Sequence, residues 1–403
     1  MIKCVIWDLD NTLLRGIYLE SGDRPPDVDP ALAAAVSELA GRGVLHAVAS
    51  RNPPEAAEHA ERATGHRFAA VRCGWGAKSA AVTGVMTELG LAADEVAFVD
   101  DDALERAEVS YRLPDVLVLA PQEVPGALEW PDFSPPAVTD EGRRRGELYR
   151  QRRVRLDEAR AFGGSREEFL RHARTEVTIG QATAADLPRL RELSVRTHQF
   201  NSAGTELGTG ALAGLLADPD RHLAVVRLAD RFGDDGIVGG CVIATAARAW
   251  EVGFLMMSCR ALGRGVIEAL LTWICRRARE AGAVQVEVPC VITSRNVPLR
   301  IALTGAGFRA DGSTDVGGAV GRVARGQVGR GEGLEAGREA GREAGREVGR
   351  EAGRDAGREA GREAGQGTGR EARKEQRAAR YSRLLGGQIP ELPSYVIAPE
   401  DWP

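Results

Sequence analysis

Over roughly the first 120 residues, short apolar runs alternate with segments whose apolar positions recur three and four apart. Ile2–Trp7, Val44–Ala49, Val96–Val99 and Val116–Leu119 have the length and continuity of buried strands. Pro30–Ala40, Pro54–Thr64, Lys78–Leu89 and Ala103–Tyr111 have the helical period. Alternation of this kind predicts a parallel sheet with helices on both faces. Only about forty residues separate Asp10 from Ser50. That leaves room for a small flap and none for a large cap, so a site there would be open to a bulky or protein-bound substrate.

The pattern then changes. Proline marks residues 121–140 as a linker. A basic helical stretch runs from Arg143 to Ala161, and Ser165-Arg166-Glu167-Glu168 has the form of a capping box. A second unit begins near Thr175. It is predicted to hold a strand (Val177–Gln181), a helix (Asp186–Thr197) and three antiparallel strands (Leu223–Leu228, Ile237–Thr245 and Trp250–Met257). A helix from Gly263 to Arg279, a strand at Val284–Val288 and a short helix before Phe308 complete it. Residues 311–378 are low in complexity, with Glu-Ala-Gly-Arg recurring from Glu335 to Gly365. A period of four drifts about 40° per repeat on an α-helix. Each glycine costs about 1 kcal/mol against alanine, more than a Glu–Arg pair returns. The repeat is therefore expected to be a frayed helix or spacer, inserted in a surface loop of the second unit. Tyr395–Ala398 is expected to close the second sheet.

Composition adds exclusions. The chain has 403 residues, 43% of them hydrophobic and 28% charged, and a net charge of −5. This excludes disorder throughout and gives no electrostatic case for nucleic acid. No apolar run approaches a membrane span, and the amino end reads as a strand rather than a signal peptide. Six scattered cysteines without a Cys-x-x-Cys pair read as reduced thiols, which suggests a cytoplasmic protein.

The candidate chemistry lies at the ends of the predicted strands. Asp8 and Asp10 follow Cys4-Val5-Ile6-Trp7; Ser50-Arg51-Asn52 follow the second strand; Lys78 opens a helix; Asp100-Asp101-Asp102 follow the strand at Val96. Carboxylates two apart beyond a buried strand suit a hard divalent cation. The crevice beyond carboxyl strand ends is where open α/β sheets bind ligands. Asp102 is expected to cap the following helix. This order of residues resembles the haloacid dehalogenase (HAD) superfamily, whose members are mostly Mg²⁺-dependent phosphotransferases. The resemblance implies Asp8 as nucleophile, Asp10 as general acid and then base, and Lys78 as the neutralising cation. It implies Mg²⁺ held among Asp8, Asp10, Asp100 and Asp101, and phosphate held by Asn11, Thr12, Ser50, Arg51, Asn52 and Lys78.

The second unit resembles the Gcn5-related N-acetyltransferase (GNAT) fold through Arg260-Ala261-Leu262-Gly263-Arg264-Gly265, between a strand and a helix. Free amides at a helix start attract anions, and glycine allows close approach. Arg260, Gly263 and Gly265 are thereby implied as a pantetheine or coenzyme A loop. No acid or tyrosine stands out as an acetyl-transfer base. The expected fold class is α/β: a HAD-like parallel sheet, then a GNAT-like mixed-sheet domain carrying the low-complexity insertion. The expected domains are 1–120 (HAD-like), 121–174 (linker and helices), 175–310 (GNAT-like), 311–378 (repeat) and 379–403 (completion of the second sheet).

A HAD unit followed by a GNAT-like unit resembles the FkbH-like family of polyketide and nonribosomal peptide pathways. Lys3–Leu13, Gly74–Ser79, Phe98–Val109, Gln199–Ser202, Asp230–Gly236 and Ser258–Gly265 carry that resemblance. It implies a glyceryl transferase and phosphatase that dephosphorylates 1,3-bisphosphoglycerate and loads glyceryl onto an acyl carrier protein thiol. Such products feed methoxymalonyl or tetronate units. Cys259 is the first candidate for a transient thioester, its thiolate favoured by Arg260 and a helix start. Cys4 is the second. Two other readings stand beside this one: a phosphatase fused to an acetyl-CoA-dependent acetyltransferase, and a non-catalytic scaffold that docks a carrier protein.

Overall fold

The computed structural model describes residues 1–22, 24–135, 138–311 and 378–399. The Glu-Ala-Gly-Arg repeat lies outside the described residues.

The first unit runs β1 (Cys4–Trp7), α1 (Pro30–Gly41), β2 (Leu45–Ser50), α2 (Pro54–Thr64), β3 (Ala70–Cys73), α3 (Lys78–Leu89), β4 (Val96–Val99), α4 (Ala103–Arg112) and β5 (Leu117–Leu119). The strands form a five-stranded sheet in the order β3-β2-β1-β4-β5, with every pair parallel. Both faces of β1 are buried. Val5 and Trp7 pack with α1 and α2, while Cys4 and Ile6 pack with α3 and with Val109 of α4. A strand covered on both sides needs apolar residues at every position, which is why its sequence is continuous rather than alternating. β3 was not legible in the sequence, because Ala-Val-Arg-Cys is short and polar at Arg72.

The first part of the predicted linker, 121–133, packs on the first core. A helical turn at Pro121–Glu123, α5 (Val124–Ala127) and a turn at Pro131–Phe133 bring Val124, Ala127 and Phe133 into the first core. Then follow α6 (Asp140–Arg143), α7 (Arg145–Ala161) and α8 (Arg166–His172). The capping box at Ser165 is present: its hydroxyl accepts from the Glu168 amide at 3.3 Å, and Glu168 accepts from the Ser165 amide at 2.7 Å.

The second unit contains β6 (Glu176–Gln181), α9 (Leu187–Arg196), α10 (Thr209–Ala217), β7 (Arg221–Asp230), β8 (Gly233–Ala244), β9 (Ala249–Met257), α11 (Val266–Glu280), β10 (Gln285–Val291), α12 (Val297–Gly305), β11 (Arg309–Asp311), β12 (Ala378–Leu384) and β13 (Val396–Ile397). Among the described residues its strands are ordered β11-β12-β10-β9-β8-β7-β6-β13. The β6–β7, β7–β8 and β8–β9 pairs are antiparallel, β9–β10 is parallel, and β13 closes the edge by pairing parallel with β6. The fold class is therefore the expected one, a parallel α/β sheet followed by a mixed one. α10 and β12 were not read from the sequence. Thr-Gly-Ala-Leu-Ala-Gly-Leu-Leu-Ala has no polar face to show a helical period, and β12 follows directly on the arginine-rich segment.

The two units meet at the amino ends of β1 and β2. Lys3 Nζ donates to the Arg196 carbonyl at 2.7 Å, Arg145 donates to the Lys3 and Gly43 carbonyls at 3.1 Å, and Arg196 donates to the Arg42 carbonyl at 3.1 Å. The carboxyl ends of the same strands, where Asp8 lies, are on the other edge of the sheet. No helix among the described residues is long and apolar enough to cross a membrane.

Candidate active site

Register builds the site. Trp7 sits opposite Val48 on β2 and Val99 on β4. The next residue along each strand is Asp8, Ala49 and Asp100, so two carboxylates leave neighbouring strands side by side. Parallel strands lie about 4.8 Å apart, within reach of one cation. Lys78, the first residue of α3, completes the group. Its ammonium donates to Asp8, to Asp100 Oδ2 at 2.9 Å and to the Ala49 carbonyl at 3.2 Å. All three side chains are buried.

Burial sets the charges. It pushes the Asp8 carboxyl up to about 6, against the pull of Lys78 and with help from Asp100. Burial also opposes the Lys78 charge, but the two carboxylates outweigh it and its pKa is raised. At neutral pH the group holds an ionised Asp8 beside a fixed ammonium, the pairing a nucleophile and an electrophilic clamp require.

Asp101 is exposed and turned back by Thr12. The Thr12 hydroxyl donates to Asp101 Oδ1 at 3.1 Å and accepts from the Asp101 amide at 2.9 Å. Oxygens of Asp8, Asp100 and Asp101 come within 4.8 Å of one another, close enough to hold one metal ion. Hard carboxylate oxygens at this spacing fit Mg²⁺. Asp10 is not in that trio: its Oδ1 accepts from the Tyr18 amide in the flap at 2.9 Å. Asp102 caps α4 as expected, accepting from the Leu104 amide at 2.8 Å.

The phosphate-binding candidates divide. Ser50 ends β2, buried and within hydrogen-bonding reach of Asp8. Asn52 Nδ2 donates to the Ser50 hydroxyl at 3.1 Å, and Asn52 Oδ1 is buried without a partner. Asn11 is exposed in the left-handed region (φ 51°). Thr12 is buried and committed to Asp101, so it orients a carboxylate rather than meeting phosphate. Arg51 is held off by an ion pair to Glu105 at 2.7 Å. One support was missed by sequence reasoning. Glu108 of α4 accepts from the Ser79 amide at 3.0 Å and so fixes the start of α3 behind Lys78. A lone glutamate in a helix carries no signal for that role.

Cys259 does not join this group. It lies at the seam, in a cleft of about 230 Å³ whose lining includes Lys3, Glu95, Arg145, Tyr149 and His198. The span from Lys3 to Asp8 is about 16 Å of strand, so the Cys259 thiol and the Asp8 carboxylate occupy opposite edges of the sheet. The Tyr149 hydroxyl is 3.3 Å from Cys259 Sγ, and the Arg145 guanidinium lies 5.4 Å from the Tyr149 ring centre. His198 Nε2 is 3.5 Å from Glu95. Burial and Lys3 pull His198 down to about 4, against Glu95, so its ring is neutral at pH 7. Nothing in the sequence links Tyr149 with Cys259, 110 residues on. Cys4 is fully buried and its thiol is pushed up to about 12, which leaves it protonated and inert. All six cysteines are unpaired.

Arg260 is buried. Its guanidinium donates to the Asp235 carbonyl at 3.3 Å. Arg264 pairs with Asp235 and, at 2.6 Å, with Asp230, which also takes Arg155 at 3.0 Å. The segment from Asp230 to Gly236 thus anchors the loop at 258–265. Gly263 and Gly265 both adopt positive φ (74° and 73°), and Gly265 caps α11.

No family model matches the chain, and no curated protein matches it. Among solved structures it is similar to the N-terminal part of the protein BF1531 from Bacteroides fragilis, described as containing a phosphatase domain complexed with Mg. Identity is 26% over 32% of this chain and 38% of that one, with a TM-score of 0.28. It is also similar to a cobalt-bound deoxy-D-mannose-octulosonate 8-phosphate phosphatase from Haemophilus influenzae. There identity is 21% over 29% of this chain and 77% of that one, with a TM-score of 0.24. The chain is also similar to a GNAT family acetyltransferase from Elizabethkingia anophelis with acetyl-CoA bound. Identity is 14% over 34% of this chain and 78% of that one, with a TM-score of 0.26. The chain spans 38% of the length of the Bacteroides structure and 63% of that of a hypothetical protein from Xanthomonas campestris.

Proposed function

We propose that the chain is a Mg²⁺-dependent phosphatase and glyceryl transferase of the HAD type. In this reading it acts on 1,3-bisphosphoglycerate and loads glyceryl onto the thiol of an acyl carrier protein. The observation that carries the phosphatase part is the convergence of Asp8, Asp100 and Lys78 at adjacent strand ends. Asp8 attacks the phosphorus of the monoester, the bond from phosphorus to the glyceryl oxygen breaks, and Asp10 gives that oxygen its proton. Water then attacks the aspartyl-phosphate, phosphate leaves, and Asp10 takes the proton from water. Two displacements replace one harder step. Lys78 and Ser50 hold charge that would otherwise repel the nucleophile. Mg²⁺ held by Asp8, Asp100 and Asp101 would neutralise the phosphate oxygens.

The acyl phosphate end is assigned to the cleft at the seam. The Cys259 thiolate attacks the acyl carbon, the carbon–sulfur bond forms, and the carbon–oxygen bond to phosphate breaks. The carrier thiol later displaces Cys259 from the thioester. What supports this is a thiol beside a neutral histidine and several cations, in a cavity large enough for a small acid. The carrier as partner and the polyketide setting rest on the resemblance of the sequence.

The test is intact-mass analysis of a phosphopantetheinylated carrier after incubation with the protein, Mg²⁺ and 1,3-bisphosphoglycerate. A glyceryl adduct is expected. Cys259→Ala should abolish loading yet retain hydrolysis of p-nitrophenyl phosphate, while Asp8→Asn should lose hydrolysis. Loading untouched by Cys259→Ala contradicts the assignment of the thiol, and absence of any adduct contradicts the transferase reading.

A further inference from the structure

Gln199-Phe200-Asn201-Ser202 takes no part in the phosphate site, yet Phe200, Asn201 and Ser202 are all buried. Their place is set by the second sheet. β9 and β10 pair only over Ala249–Glu251 and Gln285–Glu287. Beyond that point both strands continue, to Met257 and Val291, without pairing with each other. Two parallel strands that separate expose backbone donors and acceptors to the gap, and an extended amide-bearing ligand could satisfy them as an added strand does.

Here the chain satisfies them itself. The Met257 amide donates to the Phe200 carbonyl at 2.9 Å, and the Ser202 amide donates to the Leu255 carbonyl at 2.9 Å. The Leu255 amide donates to the Ser202 hydroxyl at 2.9 Å. Across the gap, the Val291 amide donates to the Ser202 carbonyl at 2.8 Å. Asn296 Nδ2 donates to the Val291 carbonyl at 2.6 Å. Ser202 and Asn296 are wholly buried. Leaving any one of these buried groups unpaired carries its full desolvation penalty, so a ligand would have to replace every bond it displaced.

The start of α11 is covered as well, although the loop at 260–264 borders a cavity of about 300 Å³. A Cβ on Gly265 would collide with the Tyr395 hydroxyl, which therefore stands against the start of α11. Arg166 Nε donates to the Gly263 carbonyl at 2.9 Å. Glu268 places a carboxylate in the first turn of α11, where an anionic ligand would be repelled. Arg260 and Arg264 are turned inward to Asp230 and Asp235. A coenzyme A thioester joins a diphosphate to an arm bearing two amides, so it needs both the anion loop and the strand edge. The arm finds no open strand edge in this chain.

We infer that residues 200–202 are a built-in occupant of the slot between β9 and β10, which closes the second unit to coenzyme A thioesters. The residues just before this plug, Thr197, His198 and Gln199, line the Cys259 cleft. The plug anchors that wall, and the second unit serves the seam rather than an acetyl donor.

Residue-resolved hydrogen exchange of the full chain tests this, with and without saturating acetyl-CoA. The amides of Leu255, Met257 and Val291 should exchange slowly, and at the same rate in both conditions. A change at these amides on adding acetyl-CoA would show the plug yielding to ligand and overturn the inference. Ser202→Ala supplies a second readout. Loss of its hydroxyl should speed exchange at Leu255 about tenfold, the equivalent of one hydrogen bond, and leave p-nitrophenyl phosphate hydrolysis unchanged. Exchange at Leu255 as slow as in the parent would mean that the hydroxyl bond does not hold the plug, and it also overturns the inference.

Discussion

Lys78 illustrates how much a single position can decide. One ammonium contacts two carboxylates and a strand carbonyl, so its charge fixes the distance between Asp8 and Asp100. The order of Asp8, Ser50, Lys78 and Asp100 along the chain was legible because each falls just after an apolar strand or at a helix start. Side-chain direction was not. Thr12 and Asp10 belong to the same short run, yet Thr12 faces Asp101 while Asp10 faces the flap amide of Tyr18. The turn after β1 sorts them, and its Asn11 at positive φ has no unique signature in sequence. Thr12→Val removes both bonds to Asp101 while preserving shape. Loss of a partner that orients a metal ligand weakens metal binding about 10–100-fold. The Mg²⁺ concentration giving half-maximal hydrolysis of p-nitrophenyl phosphate should rise by that factor, with little change in thermal stability; an unchanged Mg²⁺ requirement would mean that Asp101 is not a ligand.

Among the elements, the pairing of β1 with β2 carries a pH-sensitive contact. Trp7 Nε1 donates to His46 Nδ1 at 3.1 Å, with both residues buried. Burial, with His66 adding repulsion, pulls His46 down from 6.5 to about 3. A folded pKa below the unfolded one means that the unfolded chain binds the proton more readily. Stability is therefore full above pH 6.5 and is lost as pH falls toward 3. Between pH 7 and pH 5 this one group should cost about 2 kcal/mol. His46→Gln keeps an acceptor for Trp7 and should flatten the slope by that amount in urea unfolding measured at both pH values; an equal slope in parent and variant would assign it elsewhere. Element boundaries were legible where period and caps agreed, as for α2 and α3. They failed where a segment was short or polar, as at β3, or had no polar face, as at α10. β8 starts four residues before the expected Ile237, because Gly233-Asp234-Asp235-Gly236 has the composition of a turn but continues the pairing with β7 through two register shifts.

For the molecule as a whole, the two proposed centres, at Asp8 and at Cys259, sit on opposite edges of one sheet. Sequence order could not reveal this, since Cys259 and Asp8 are brought near the same sheet only by the docking of α7 and α9 on the amino ends of β1 and β2. Gly43 is the pivot of that docking. It has a φ of 74°, its carbonyl accepts from Arg145 and Arg196, and an added Cβ would meet the Gly142 carbonyl oxygen at 2.6 Å. Gly43→Ala should destabilise the protein by about 1–3 kcal/mol in denaturant unfolding. It should also raise the rate at which Cys259 is alkylated while the phosphate site keeps its activity. A variant as stable as the parent would show that the seam does not depend on this glycine. The claim beneath all of this is that Asp8, Asp100 and Lys78 form a divalent-ion phosphatase site. The most direct measurement is phosphate release from p-nitrophenyl phosphate by the parent with Mg²⁺, with EDTA, and by Asp8→Asn with Mg²⁺. Activity should require Mg²⁺ and fall at least about 10³-fold in Asp8→Asn; activity that persists in EDTA or in Asp8→Asn would mean that these residues do not form such a site.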